Sequence, residues 1–209
     1  MPKKKEQAKP EKNKRQLQAE QTKRALMKAA MALFATRGYD AVTVEQITRR
    51  AGVAKGSFYS HFSAKEAVLV EHFKQVDDLH EETYLKMSPR LTASQKVLKL
   101  VDTMCAFCQD ECGIDALRVI YANQLLHPFP DVSILNHPGR KIIAILQEIA
   151  DDGKKAGEVP ASVNSRLFAQ EVMHLAHGII YDWCMADNAF DLKKEGHRVF
   201  KQLAKTTVL

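Results

Sequence analysis

Residues 43–66 read TVEQITRRAGVAKGSFYSHFSAKE, and their punctuation decides the fold. Thr43 with Gln46 three residues on is a capping-box pattern: the hydroxyl accepts from a backbone N–H ahead while the amide side chain reaches back. Ile47 and Ala51 share the inner side of a short helix, and Gly52 makes the turn that ends it. A second short helix is expected over residues 54–62, with Phe58 and Phe62 one turn apart on its inner face. Ser63 and Glu66 repeat the capping-box spacing and predict the start of a longer helix. Two short helices on a glycine turn, the second polar and aromatic outside, are how a helix-turn-helix unit presents a reading helix to the major groove of DNA.

The charge distribution agrees. The 209-residue chain carries a formal net charge of +6. Residues 1–66 hold 15 Lys or Arg against 6 Asp or Glu, a balance of +9, and residues 67–209 hold 16 against 19, a balance of −3. One end is built for a polyanion and the rest is not. Nucleic acid is the polyanion expected, because phosphate neutralisation supplies most non-specific affinity. The first 20 or so residues alone would pass as a solvated tail, but the excess runs on into the presumed reading unit.

Outward from that unit the pattern is helical throughout. Residues 1–17 are lysine-rich without periodicity and are expected to be a basic disordered tail. Residues 18–36 carry Leu26, Ala29, Ala30, Leu33 and Phe34 as one apolar stripe, and Gly38 suits the stop. Thr92 with Gln95 opens a helix to about residue 111. Further helices are expected over residues 114–126, from Asn136 or His137 before Pro138 to the glycines at 153–157, over residues 163–185, and after Asp191. With 45% hydrophobic residues the chain can bury a sizeable core. The expected fold is all-α, about nine helices: a helix-turn-helix domain over residues 18–64, then a helical ligand-binding and dimerisation domain over residues 65–209.

Other classes are disfavoured. No apolar run approaches the roughly 20 residues that span a bilayer, and residues 1–15 lack the apolar segment of a secretory signal. A cytoplasmic protein with reduced thiols is expected. No Walker loop, GxSxG elbow, HExxH or dinucleotide fingerprint is present, so no enzyme is expected.

Over residues 22–70 the chain resembles the TetR family of bacterial transcriptional regulators. The likeness runs through LFATRGYDAVTVEQIT and RRAGVAKGSFYSHFSAKEAVL. Gly38, Thr43, Ile47, Ala51-Gly52-Val53, Tyr59, Phe62 and Lys65-Glu66 stand where the family pattern has them. KKAGEVPASVNSRLFAQEV, with the apolar and amphipathic helices that follow, resembles the family in layout only. One departure is Ala54, where a capping serine often precedes the reading helix; Ser57 or a DNA phosphate would have to satisfy that helix start.

The resemblance implies a homodimer that binds a palindromic double-stranded operator and leaves it when a small, largely hydrophobic effector binds. The fourth helix, from residue 64 onward, would be the mechanical link. Candidate DNA contacts are Thr43, Lys55, Gly56, Ser57, Tyr59, His61 and Lys65, with Arg49 and Arg50 as further cations. The outer face of the reading helix lacks Arg, Asn and Gln, the bidentate base readers, so phosphate, methyl and shape contacts are expected to dominate. The implied dimer surface is the two C-terminal helices, with Leu167, Phe168, Val172, Leu175, Ala176 and Ile179 as the stripe that a four-helix interface, or else the chain's own core, would bury.

Candidate pocket residues are Cys105, Cys108, Tyr121, His127, Phe129, His174, His177 and Tyr181, with Trp183 as a further aromatic. Cys105, Cys108 and Cys112 fall at i, i+3 and i+7 on one presumed helix. They could make a thiol or metal sensor, but cysteine is equally a small buried hydrophobe, and core or pocket lining is the expectation. No metal and no cofactor is expected.

Overall fold

The computed structural model describes residues 14–126 and 139–206. Among these residues there are nine α-helices and no strand: α1 Lys14–Arg37, α2 Val44–Ala51, α3 Lys55–Tyr59, α4 Glu66–Leu85, α5 Ala93–Ala106, α6 Ile114–Leu126, α7 Lys141–Lys155, α8 Ser165–Met185 and α9 Leu192–Thr206. The all-α expectation holds. His127, Phe129 and the helix start expected at residues 136–138 lie outside the described residues, as do residues 1–13 of the basic tail.

Local chemistry sets most of the boundaries. α1 stops at Gly38, whose φ of 78° is the left-handed conformation and whose N–H bonds Phe34 O at 2.9 Å. Thr43 and Gln46 form the full capping box of α2, and Thr92 and Gln95 form that of α5. Asn164 Oδ1 accepts from the Arg166 and Leu167 N–H groups, and Asp191 Oδ1 from Lys194 N–H, which start α8 and α9.

Three expectations are corrected here. Residues 14–17, expected in the disordered tail, form the first turn of α1, which begins at Lys14. α4 does not begin on a Ser63–Glu66 box: Lys65 is its cap residue, with no side-chain cap bond. α5 does not run on unchanged to residue 111: over Phe107–Cys112 it widens into a π-helical turn that ends at Gly113, φ 78°. π-turns of this kind interrupt α-helices frequently at functional sites.

The helices bury two apolar cores. The head core joins Leu26, Ala30, Leu33 and Phe34 of α1 to Ile47, Phe58, Phe62, Val68 and Leu69, and takes in Ile120 from α6. The body core is built from α5, α7, α8 and α9, with Leu100, Leu146, Ile149, Met173, Trp183 and Leu192 deeply buried. Trp183, a pocket candidate by composition, is a core residue whose Nε1–H donates to Phe190 O at 3.0 Å. α9 lies close on α5 because Gly196 has no side chain: a Cβ there would sit 2.6 Å from Cys105 Sγ. α6 ties the parts together, with Ile120 in the head core and Arg118 donating to Cys184 O at 2.9 and 2.7 Å near the end of α8.

Candidate nucleic-acid interface and effector region

α3 stands on its two phenylalanines. Phe58 is fully buried and Phe62 nearly so, and their rings meet at 5.3 Å. That anchoring aims the opposite face at solvent. Lys55, Gly56, Tyr59 and Ser60 are exposed and Ser57 and His61 half-buried. Tyr59 is 54% exposed, its ring edge against Phe58 at 5.5 Å. A Cβ added at Gly56 would meet nothing, so the helix presents open backbone there. Ala54 precedes α3 in an extended conformation and makes no side-chain cap bond. The cap missing from the sequence is missing from the structure.

The reading helix sits turned against α2 through Gly52, φ 70°, whose N–H reaches the carbonyls of Thr48 and Arg49. Across that turn Lys55 pairs with Glu45. The pairing draws the Glu45 carboxyl below its ordinary range and lifts Lys55 above its own, in both cases chiefly through the hydrogen bond between them. Both side chains are exposed, so water and salt screen the pair. A phosphate can therefore take Lys55 from Glu45.

Lys65 is the candidate that geometry treats differently. Its ammonium donates inward, to Tyr39 O at 2.7 Å and Val42 O at 3.1 Å, and lies 4.0 Å from the centre of the Tyr39 ring. The loop between α1 and α2 exposes carbonyls that need donors, and Lys65 supplies two. It braces that loop.

Beside α3 lies an open cleft of about 570 Å³ lined by Lys14, Arg15, Gln18, Thr22, Ser57 and Ser60, with Ala19 and His61. The start of α1 thus puts two cations and two neutral donors next to the reading helix. Lys14 belongs to the basic N-terminal stretch whose lysines could add a backbone or minor-groove contact, while Arg15, Gln18, Thr22 and Ser60 carry no motif of their own. The one signal for them is the +9 balance of residues 1–66.

The body's candidates separate. Tyr121 Oη donates to His177 O at 3.5 Å and its ring meets Tyr181 edge-on at 5.8 Å, so Tyr121, His177 and Tyr181 are brought together. Burial drives the Tyr121 hydroxyl up and the His177 imidazole down to about 3, with Arg140 and His174 adding to the latter. His174 lies instead on the exposed side of α8. Cys105 and Cys108 are core residues.

The thiols do not form a sensor. Burial pushes Cys105 and Cys112 up to about 12 and Cys108 well above its ordinary value, which keeps them protonated and poor nucleophiles. Cys112, in the π-turn, meets His72 Nε2 at 3.1 Å. Among the described residues no three His, Cys, Asp or Glu side chains group as metal ligands would.

The stripe expected at a dimer interface faces the wrong way. Phe168, Val172, Ala176 and Ile179 belong to the chain's own core, because α7 and α6 pack on that side of α8. The outward side carries Leu167, Tyr181 and Met185, 55%, 41% and 68% exposed, with Gly178 open between them.

The family described as "Bacterial regulatory proteins, tetR family" matches residues 26–71, and "YsiA-like protein, C-terminal region" matches residues 136–206. The chain belongs to the TetR family. It is a DNA-binding transcriptional regulator and not an enzyme. Among curated relatives, the fatty acid metabolism regulator protein of Bacillus subtilis strain 168 is 24% identical over 182 residues, 85% of this chain and 91% of that one. The transcriptional repressor BepR of Brucella suis is 22% identical over 200 residues, 90% of this chain and 93% of that one. In fold, the crystal structure of FadR from Bacillus subtilis in complex with stearoyl-CoA superposes with a TM-score of 0.70 at 24% identity, covering 86% of this chain and 96% of FadR.

The polar cluster of the body went unseen in the sequence. Arg140 and Asp77 form a buried bidentate pair, Nη2 to Oδ1 at 2.7 Å and Nε to Oδ1 at 3.1 Å. One turn further along α4 lies His80, fully buried, with neither ring nitrogen hydrogen-bonded among the described residues. Asp77 and His80 share a spacing of three, which fits any helix face. Their partner Arg140 is 63 residues away, so no local pattern announces the cluster.

Proposed function

We propose that this TetR-family protein is a cytoplasmic repressor, a homodimer joined through α8 and α9, that leaves a palindromic operator when a long-chain acyl compound binds its body. The reading unit ends near residue 64 and the effector domain follows it. Thr43, Lys55, Gly56, Ser57, Tyr59 and His61 meet DNA, with Lys14 and Arg15 adding backbone contacts from the neighbouring cleft. The observation that carries the DNA contacts is the exposed face of α3, held by buried Phe58 and Phe62 beside that cleft. The acyl class is carried by the likeness to the fatty acid metabolism regulator of Bacillus subtilis and to FadR in its complex with stearoyl-CoA.

Coupling runs through two elements. α4 leaves the reading unit and carries Asp77 and His80, and α6 plants Ile120 in the head core while Arg118 holds the end of α8. An effector that alters the body moves the head only by binding the DNA-incompetent arrangement better than the competent one. On α8 the outward Leu167, Tyr181 and Met185, with open Gly178, let a second copy approach closely.

The test is selection of genomic fragments by the purified protein, with and without palmitoyl-CoA. Discrete palindromic sites, lost when the acyl compound is added, are expected. Uniform binding to bulk DNA, or sites unaffected by the compound, overturns the proposal.

A further inference from the structure

We propose that His80 is the polar anchor of the effector site: its imidazole hydrogen-bonds the carbonyl oxygen of a long acyl ligand lodged between α4, α5 and α7. The inference rests on the acyl reading above and assigns it to one side chain.

A fully buried imidazole without a partner destabilises the ligand-free protein, because a donor and an acceptor have left water for nothing. Such a group asks for an explanation, and a ligand atom supplies one. Burial first, then Arg140, holds His80 down to about 4, against smaller opposing pulls from Asp77 and from the Leu100 backbone, which approaches the ring but makes no well-formed hydrogen bond with it. The ring is therefore neutral at pH 7, with one N–H to give and one lone pair to receive.

The surroundings select the ligand's chemistry. Arg140 is bound bidentately by Asp77, so the charges beside His80 cancel and a fully charged headgroup finds no excess cation. A single neutral acceptor fits better, and a carbonyl oxygen is one. Beyond it α5 and α7 contribute Val97, Leu100, Val101, Ile142, Ile143 and Leu146 to the body core, an environment for a hydrocarbon chain. His177, on α8 and likewise held down by burial, feels the Arg140 charge as well.

The experiment is calorimetric titration of the full chain with palmitoyl-CoA, palmitate and 1-hexadecanol, comparing wild type with His80→Leu and His80→Gln. In the wild type palmitoyl-CoA, whose thioester carbonyl is neutral, is expected to bind at least tenfold tighter than palmitate, a carboxylate, and than 1-hexadecanol, which has the chain but no carbonyl. His80→Leu is expected to lose that tenfold, to leave 1-hexadecanol within twofold, and to melt at or above the wild-type temperature because the imidazole had no partner to lose. His80→Gln, which keeps a donor, should recover part of the acyl affinity. Tighter palmitoyl-CoA supports a neutral carbonyl at the anchor; palmitate as tight as palmitoyl-CoA, or tighter, overturns it. Acyl binding by His80→Leu within twofold of wild type overturns the anchor and leaves the acyl reading standing. Equal affinity of the wild type for 1-hexadecanol and the acyl probes, or a His80→Leu chain that does not fold, overturns it as well. No acyl binding by the wild type overturns both.

Discussion

The head and the body of this molecule keep their polar groups in different places. In the head Thr43, Thr48 and Lys65 direct their polar atoms to the backbone. Thr43 and Gln46 cap α2, buried Thr48 donates to Glu45 O, and Lys65 braces the loop beneath it. The body instead buries a carboxylate, a guanidinium and an imidazole together, and leaves the imidazole without a well-formed hydrogen bond among the described residues. A unit that must offer one fixed face to DNA gains from an apolar core that admits one packing. A unit that must answer a ligand needs groups whose bonding is incomplete without it.

The largest break in this comparison comes from the head. Phe58→Ala removes a fully buried ring and is expected to cost about 3–5 kcal/mol, with operator binding lost. Urea titration and an operator-binding assay check it. In the body, Arg140→Met leaves Asp77 buried with its charge unpaired, at a cost of about 3 kcal/mol or more, while Asp77→Leu with Arg140→Met recovers most of the loss. A double variant no better than the single one would show that the ion pair itself, and not the stranded charge, decides the stability.

The pH response sharpens the contrast. His80 has its folded pKa depressed to about 4 from an ordinary 6.5 by burial. The unfolded chain takes up this proton first as pH falls. Stability is therefore full above about 6.5 and is lost between 6.5 and about 4, by up to about 1.4 kcal/mol per pH unit. His72 is pushed the same way, to about 4, by burial. Urea midpoints from pH 7 to 4.5 should fall less steeply in His80→Leu than in wild type, and equal slopes would remove His80 from the account. The smallest effect is shared by both regions: Thr43→Ala and Thr92→Ala each lose a capping box and are expected to cost about 1 kcal/mol in thermal unfolding.

The same difference governs what could be read from the residues. The head's signals are local. Gly38, the Thr43–Gln46 spacing, Gly52 and the Phe58–Phe62 pair lie within a few residues of the bonds they make, and the fold followed from them. In the body the local caps at Thr92 and Asp191 were equally plain. The candidate site there was not, because the Asp77–Arg140 pair joins positions 63 residues apart. Where local spacing misled, a tertiary partner had won. Ser63 and Glu66 have the box spacing, but α4 starts beyond Ser63, with Lys65 at its cap and bonded to the loop before α2. The apolar stripe of α8 was visible, yet periodicity cannot say whether its own chain or a second copy covers it; α6 and α7 do.

The central claim is that one molecule holds DNA and effector in opposition, the head fixed and the body responsive. Coupling between sites is reciprocal, so it can be read from the effector's side. The measurement is the affinity of palmitoyl-CoA for the protein free and saturated with its selected operator, by calorimetry at one salt concentration. The account predicts at least tenfold weaker effector binding to the operator complex. Equal affinity in the two states would contradict it.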